Sequence, residues 1–289
     1  MSHAAGLPWL PDDLLLLLLD RWVADPMAPS SAAALASATA DLHRLLLPAT
    51  SKLKQARLDF LALCQLLRKT PANLSLAKSV CLVEATSSNA AALGRAAAHG
   101  NLRNIELLTV SDTRAMAGGE DALEPLGQAL AIGALPRLQH LNLSGNLLSG
   151  GFCKTLEAAC ETGALSSLIG LNLSRTTRAA AALAQALAGG ARLACMKQLY
   201  LADAGIDDAQ VENLCTRGVG GLGGLQELYL CNNVAITDNS LYVLSAVLDR
   251  GALPELQRLY VPKALGEARE ARSAICAAAA ERGVRVLFR

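Results

Sequence analysis

Residues Leu138–Asn146 read LQHLNLSGN, and closely related text returns four times: LIGLNLSRT from Leu168, MKQLYLADA from Met196, LQELYLCNN from Leu225 and LQRLYVPKA from Leu256. The copies begin 30, 28, 29 and 31 residues apart. Glycine-containing text leads into four of the five, GALP at Gly133, GALS at Gly163, GARL at Gly190 and GALP at Gly251. A more degenerate copy, LRNIELLTV, begins at Leu102, 36 residues before Leu138, and a weaker one includes Val80 and Leu82. A period held this closely predicts a solenoid, in which each unit buries its apolar face only by stacking on the next.

Helical patterns fill the gaps between copies. Phe152, Leu156 and Cys160 recur at i, i+4, i+8; Val211, Leu214 and Cys215 at i, i+3, i+4; Leu241, Leu244 and Leu248 at i, i+3, i+7. Each set gives one apolar stripe. Asp207 and Asp238 stand before two of these stripes as predicted N-caps. GVRVLF, from Gly283 to Phe288, predicts a closing strand.

The pattern L-x-x-L-x-L, with Asn or a small residue three positions on, resembles the leucine-rich repeat over roughly residues 76–289. Asn146 and Asn233 match the family's Asn position, whereas Thr176 and Ala204 depart from it, so the Asn ladder is broken in the middle repeats. A strand, turn, helix and return in each repeat resembles the ribonuclease-inhibitor subclass. The resemblance implies an α/β horseshoe, with a parallel sheet inside and helices outside.

Alternation along each strand then sorts its side chains. The two later leucines of each copy face the core, and the residues flanking them face the concave side. Repeat by repeat, that side is expected to carry Asn104, Glu106 and Leu108; His140, Asn142 and Ser144; Gly170, Asn172 and Ser174; Gln198, Tyr200 and Ala202; Glu227, Tyr229 and Cys231; Arg258, Tyr260 and Pro262. Its middle row reads Glu, Asn, Asn, Tyr, Tyr, Tyr. Three of the chain's four tyrosines fall on adjacent strands, although only 3% of its residues are aromatic. Tyrosine supplies large contact area and a hydroxyl at low entropic cost, which suits a binding face. Neighbouring aromatics also stabilise a sheet by packing on each other. The expected partner-binding residues are Tyr200, Tyr229, Tyr260, Asn142, Asn172, His140, Glu227 and Arg258, and the expected partner is a protein.

Residues 1–75 lack the repeat. LPWLPDDLLLLLLDRW opens with Pro11, Asp12 and Asp13, which favour a helix start. The six leucines from Leu14 to Leu19 cover every side of the helix that follows, and a helix apolar all round must be buried all round. L-P-D-D-L-L, a Pro-containing loop and A-L-A-S-A-T-A-D-L-H-R-L-L together resemble the F-box, the helical motif that docks substrate receptors onto the adaptor of cullin-RING ubiquitin ligases. By that resemblance Leu10, Pro11, Leu14, Leu15 and Leu18 face the adaptor, and Leu35 and Leu42 hold apolar positions of later helices. The segment departs from the family in its alanine content and in lacking a closing Trp. A plain helical cap over the first repeat is the alternative. The expected organisation is 1–50 F-box-like or cap, 51–75 connecting helix and linker, and 76–289 repeats. The connecting helix spans Lys52–Arg68 and carries Leu53, Leu58, Leu61 and Leu66.

Composition narrows the function. Hydrophobic residues at 52% and charged residues at 18% predict an ordered chain. A net charge of +1 leaves no basic stripe for nucleic acid. The leucine run is far short of the roughly 20 residues that span a bilayer, and aspartates stand where a secretory leader needs basic residues. The eight cysteines show no C-x-x-C spacing and mostly fall on apolar repeat positions, predicting buried reduced thiols in a cytoplasmic or nuclear protein. Gly218, Gly220 and Gly223 satisfy G-x-G-x-x-G but precede a strand instead of following one. No metal-ligand spacing, cofactor motif or catalytic constellation emerges. The expectation is a non-enzymatic adaptor: a substrate receptor of an F-box-type ubiquitin ligase, or alternatively a stand-alone scaffold or inhibitor whose N-terminus only caps the repeats.

Overall fold

The computed structural model describes residues 55, 57–113, 122–190, 193–217, 221–263, 265 and 269–289. The chain divides into two compact units, Met1–Leu58 and Asp59–Arg289. The F-box-like segment, with Leu10, Pro11, Leu14, Leu15, Leu18, Leu35 and Leu42, lies outside the described residues, as do Leu53, Gly218 and Gly220.

The second unit is an α/β solenoid of leucine-rich repeat type. Eight strands form one parallel sheet in chain order: β1 (Ser79–Val83), β2 (Leu107–Ser111), β3 (His140–Asn142), β4 (Gly170–Asn172), β5 (Gln198–Tyr200), β6 (Glu227–Tyr229), β7 (Arg258–Val261) and β8 (Arg285–Phe288). A helix follows each of the first seven strands: Ser87–Ala98, Glu124–Ala131, Gly150–Glu161, Thr177–Ala188, Asp208–Glu212, Asp238–Asp249 and Arg269–Arg282. All three expected stripes are buried, and so are Leu138, Leu141 and Leu143 with their counterparts in the four later copies. Burying one such leucine contributes about 1.5–3 kcal/mol.

Two left-handed positions per repeat turn the chain. The first explains the glycine lead-ins. Gly133 and Gly251 adopt φ of 67° and 69° just past a helix end. The N–H of each glycine, and that of the alanine after it, donate back to carbonyls of the last helical turn. Gly100 and Gly283 end their helices in the same way, and Gly163 and Gly190 also take positive φ there with their own N–H groups donating back to the last turn. The second lies where the chain leaves the strand, and is filled by Glu84, Asp112, Gly145, Arg175, Asp203 and Asn232, all at positive φ. The buried Asn that follows holds this turn. Asn233 Nδ2 donates to the carbonyls of Leu201 and Leu230 at 2.8 Å each, and its Oδ1 accepts from the N–H groups of Ala204 and Ile206 at 2.9 and 3.1 Å. Asn146 similarly bonds Val110, Leu143 and Thr113. Thr176 reaches only the Leu173 carbonyl, and Ala204 has no side chain to offer.

Three expectations need correction. LRNIELLTV is not read from Leu102: β2 aligns Leu108 with Leu141, so its copy begins at Ile105, 33 residues before Leu138. Leu102 and Ile105 begin overlapping apolar patterns three residues apart. An odd shift exchanges the faces of a strand, so Leu108 is buried, while Leu107 and Thr109 take the places expected for Asn104 and Glu106. Before the repeats, Leu61 and Leu66 are exposed, and Leu63 and Cys64 bury the apolar side of the helix ending at residue 66. Finally, the N-cap of Asp238–Asp249 is Thr237, with Asp238 in the first turn, whereas Asp207 caps its helix as expected in a reciprocal capping box with Gln210.

Candidate functional site

Helices cover one face of the sheet, and the opposite face carries two rows of side chains that the parallel register places strand by strand. One row runs Ser79, Leu107, His140, Gly170, Gln198, Glu227, Arg258, Arg285. The other runs Cys81, Thr109, Asn142, Asn172, Tyr200, Tyr229, Tyr260, Leu287. The tyrosines stand side by side. Tyr200 and Tyr229 have ring centroids 4.3 Å apart at 24°, and Tyr229 and Tyr260 are 4.0 Å apart at 9°. The rings sit slightly closer than the ~4.8 Å between neighbouring strands, so the backbone ladder sets the stack and the rings lean together within it.

The rings are not offered equally. Tyr260 is only 6% exposed, with the Arg289 guanidinium 5.3 Å from its ring centroid, while Tyr200 and Tyr229 are half-buried. Glu227 is also buried. Its carboxylate accepts from the Tyr229 hydroxyl at 2.9 Å and pairs with Arg258 at 2.8 Å. Burial, and then the nearby Glu227 carboxylate, raise the Tyr200 phenol above its usual range. Burial first, and then hydrogen bonding with Tyr260 and Glu227, raise Tyr229. Both phenols therefore keep their protons at neutral pH.

The middle of the face is lower. Gly170 is buried between His140 and Gln198, and a Cβ there would fall 2.6 Å from His140 Nδ1. The His140 ring thus leans over this glycine, and the face there holds a shallow depression of about 240 Å³, bounded by Leu107, Thr109, His140, Asn142, Asn172, Gln198 and Tyr200 among others. The side chains of Asn142 and Asn172 each accept the N–H two residues on, from Ser144 at 3.0 Å and Ser174 at 2.9 Å. That bond leaves each amide group's donors free of any backbone partner on its own strand.

Of the expected residues, His140, Asn142, Asn172 and Tyr200 thus border one depression. Tyr229 and Arg258 lie beyond it towards β8, and Glu227 and Tyr260 serve mainly to hold their neighbours. Sequence reasoning missed Leu107 and Thr109 through the register of β2. It also missed Arg285, although GVRVLF was recognised as a strand and its alternation would have placed that residue. Among the described residues, no helix is long and apolar enough to cross a membrane, and no cluster of His, Cys, Asp and Glu is arranged to hold a metal ion. Of the eight cysteines, Cys81, Cys195 and Cys276 are exposed, against the expectation of buried thiols, and the other five are buried.

No protein-family model and no curated protein sequence matches this chain. Among solved structures, a chain in a crystal structure of a Rad7 and Elc1 complex in yeast aligns with 86% of this chain and 85% of its own length, at 14% identity and a TM-score of 0.33. The fold assignment rests on the repeat and the eight-stranded sheet.

Proposed function

We propose that this chain is a non-catalytic adaptor that holds a protein partner on the open face of its sheet. The observation behind the reading is the glycine-floored depression beside a rigid tyrosine stack, on the one face that the helices leave uncovered. A partner side chain would seat in the depression beside His140 while the stacked rings present edge area and hydroxyls with little entropy left to lose. The outer helices Gly150–Glu161, Thr177–Ala188 and Asp238–Asp249 each have 12 residues, in repeats of about 29, which supports the ribonuclease-inhibitor-like reading over shorter repeat types. The finer reading, a substrate receptor docked to a ubiquitin-ligase adaptor through Leu10, Pro11, Leu14, Leu15 and Leu18, rests on the F-box-like residues alone.

Site-specific photo-crosslinking in the full chain tests the face. A photoreactive residue at Asn172 should capture a protein that the same residue at Gln185, on an outer helix, does not capture. Gly170→Leu, which fills the depression, should abolish that capture. Equal capture from both positions, or capture unaffected by Gly170→Leu in a folded variant, would move the partner off this face. Co-purification with a ubiquitin-ligase adaptor tests the other end: a complex lost in a folded Leu14→Asp, Leu18→Asp variant supports docking, and its absence from the wild type leaves a capped scaffold.

A further inference from the structure

The last three strands give the open face a sign. Along the His140 row, β6, β7 and β8 present Glu227, Arg258 and Arg285 in register, and Arg289 stands over Tyr260 at the end of the neighbouring row. Glu227 is the single acid in these two rows, and it is already satisfied by Tyr229 and Arg258. Arg285 is exposed and, among the described residues, has no acid within ion-pair distance. The Arg258 side chain is still 48% exposed despite its pairing. The phenols around them are protonated and act as donors. This end of the face therefore carries guanidinium groups and hydroxyl donors with no unpaired carboxylate in its two rows, and it complements an acceptor-rich, negatively charged partner.

We propose that the partner segment seated on this face is acidic, with carboxylates meeting Arg258 and Arg285 while its apolar side chain occupies the depression at Gly170. The spacing supports a single segment bridging the two places. Gly170 lies on β4 and Arg258 and Arg285 on β7 and β8, three and four strands away, so the separation is roughly 14–19 Å at ~4.8 Å per strand. About five or six residues of extended peptide cover that distance. This inference rests on the proposed use of the open face and adds its chemistry. An extended acidic peptide segment is preferred over nucleic acid because the chain has no basic stripe beyond these few groups.

Fluorescence anisotropy with the full chain tests it. The probe is a fluorescein-labelled glutamate dodecapeptide carrying one leucine; its lysine counterpart and a labelled oligo-deoxythymidine of equal charge are the comparisons. The expected result is saturable binding of the glutamate peptide, weakened at least tenfold by Arg285→Glu and by added salt, and unchanged by Lys78→Glu at the far end of the sheet. The Arg285 side chain is exposed and, among the described residues, makes no ion pair, and the backbone bond from its N–H to Gln257 does not depend on the side chain, so its variant stays folded. Absence of saturable binding, equal binding by Arg285→Glu, or tighter binding of the oligonucleotide would each overturn the acidic-peptide assignment. If capture through Asn172 persists in any of those cases, the open-face reading stands and only the partner's charge is wrong.

Discussion

Asn233 shows how much of a repeat can depend on one side chain. It serves two N–H groups and two carbonyls of adjoining repeats from a position 1% exposed. Asn233→Ala strands those groups away from water, and each costs about 1–3 kcal/mol when it is not recovered by solvent. A loss of about 3 kcal/mol in urea-unfolding free energy is the expected outcome, against under 1 kcal/mol for an exposed neighbour such as Val234→Ala. The tyrosines give a second residue-scale test. Burial holds the Tyr200 and Tyr229 phenols above the usual tyrosine value of 10.0, and unfolding removes that burial. The raised pKa means that the unfolded state releases protons first as pH rises. Stability from these phenols is therefore fully present below about pH 10 and is lost as pH climbs from there towards the folded-state values. Ultraviolet absorbance titration should show their ionisation displaced to higher pH in the folded than in the unfolded chain, and a Tyr200→Phe, Tyr229→Phe variant should lose less stability between neutral and strongly alkaline pH. At this scale the tyrosine row was legible because five repeats agree in register. The strand-exit turn was not, because only Gly145 and Asn232 advertise a left-handed residue, while Glu84, Arg175 and the aspartates there adopt it under constraint from the neighbouring repeats.

Helices in this array approach one another closely enough to dictate residue size. Gly94, in Ser87–Ala98, faces the start of Glu124–Ala131, and a Cβ there would sit 2.3 Å from the Leu126 backbone nitrogen. Glycine-to-alanine in an exposed helix stabilises by about 1 kcal/mol. Gly94→Ala should do the opposite, costing about 2 kcal/mol or more by forcing two helices apart, and chemical denaturation fixes the sign directly. The sequence does not disclose such a contact, since an isolated helical glycine has the same appearance whether it is crowded or open. It disclosed the helices themselves through their stripes. It failed at β2, where two apolar patterns overlap and only pairing with β3 chooses between them.

Across the whole repeat unit, every strand but β1 and β8 has two strand neighbours, and stability is shared between adjacent repeats instead of arising from one central core. Amide hydrogen exchange should accordingly be slowest at the centre, around Leu141, Leu171 and Leu199, and faster in β8 and Arg269–Arg282. Uniform protection from β1 to β8 would mean that the repeats open as one cooperative block. The tyrosine stack has one more consequence at this scale. Three nearly parallel phenol rings at 4.0–4.3 Å are close enough for their electronic transitions to mix, giving a near-ultraviolet circular dichroism signal that exists only while β5, β6 and β7 are paired. Both tryptophans, Trp9 and Trp22, belong to the other compact unit. The repeats therefore carry an optical reporter of their own in the coupled phenol dichroism, free of tryptophan signal from within their unit, so their melting can be followed without a label.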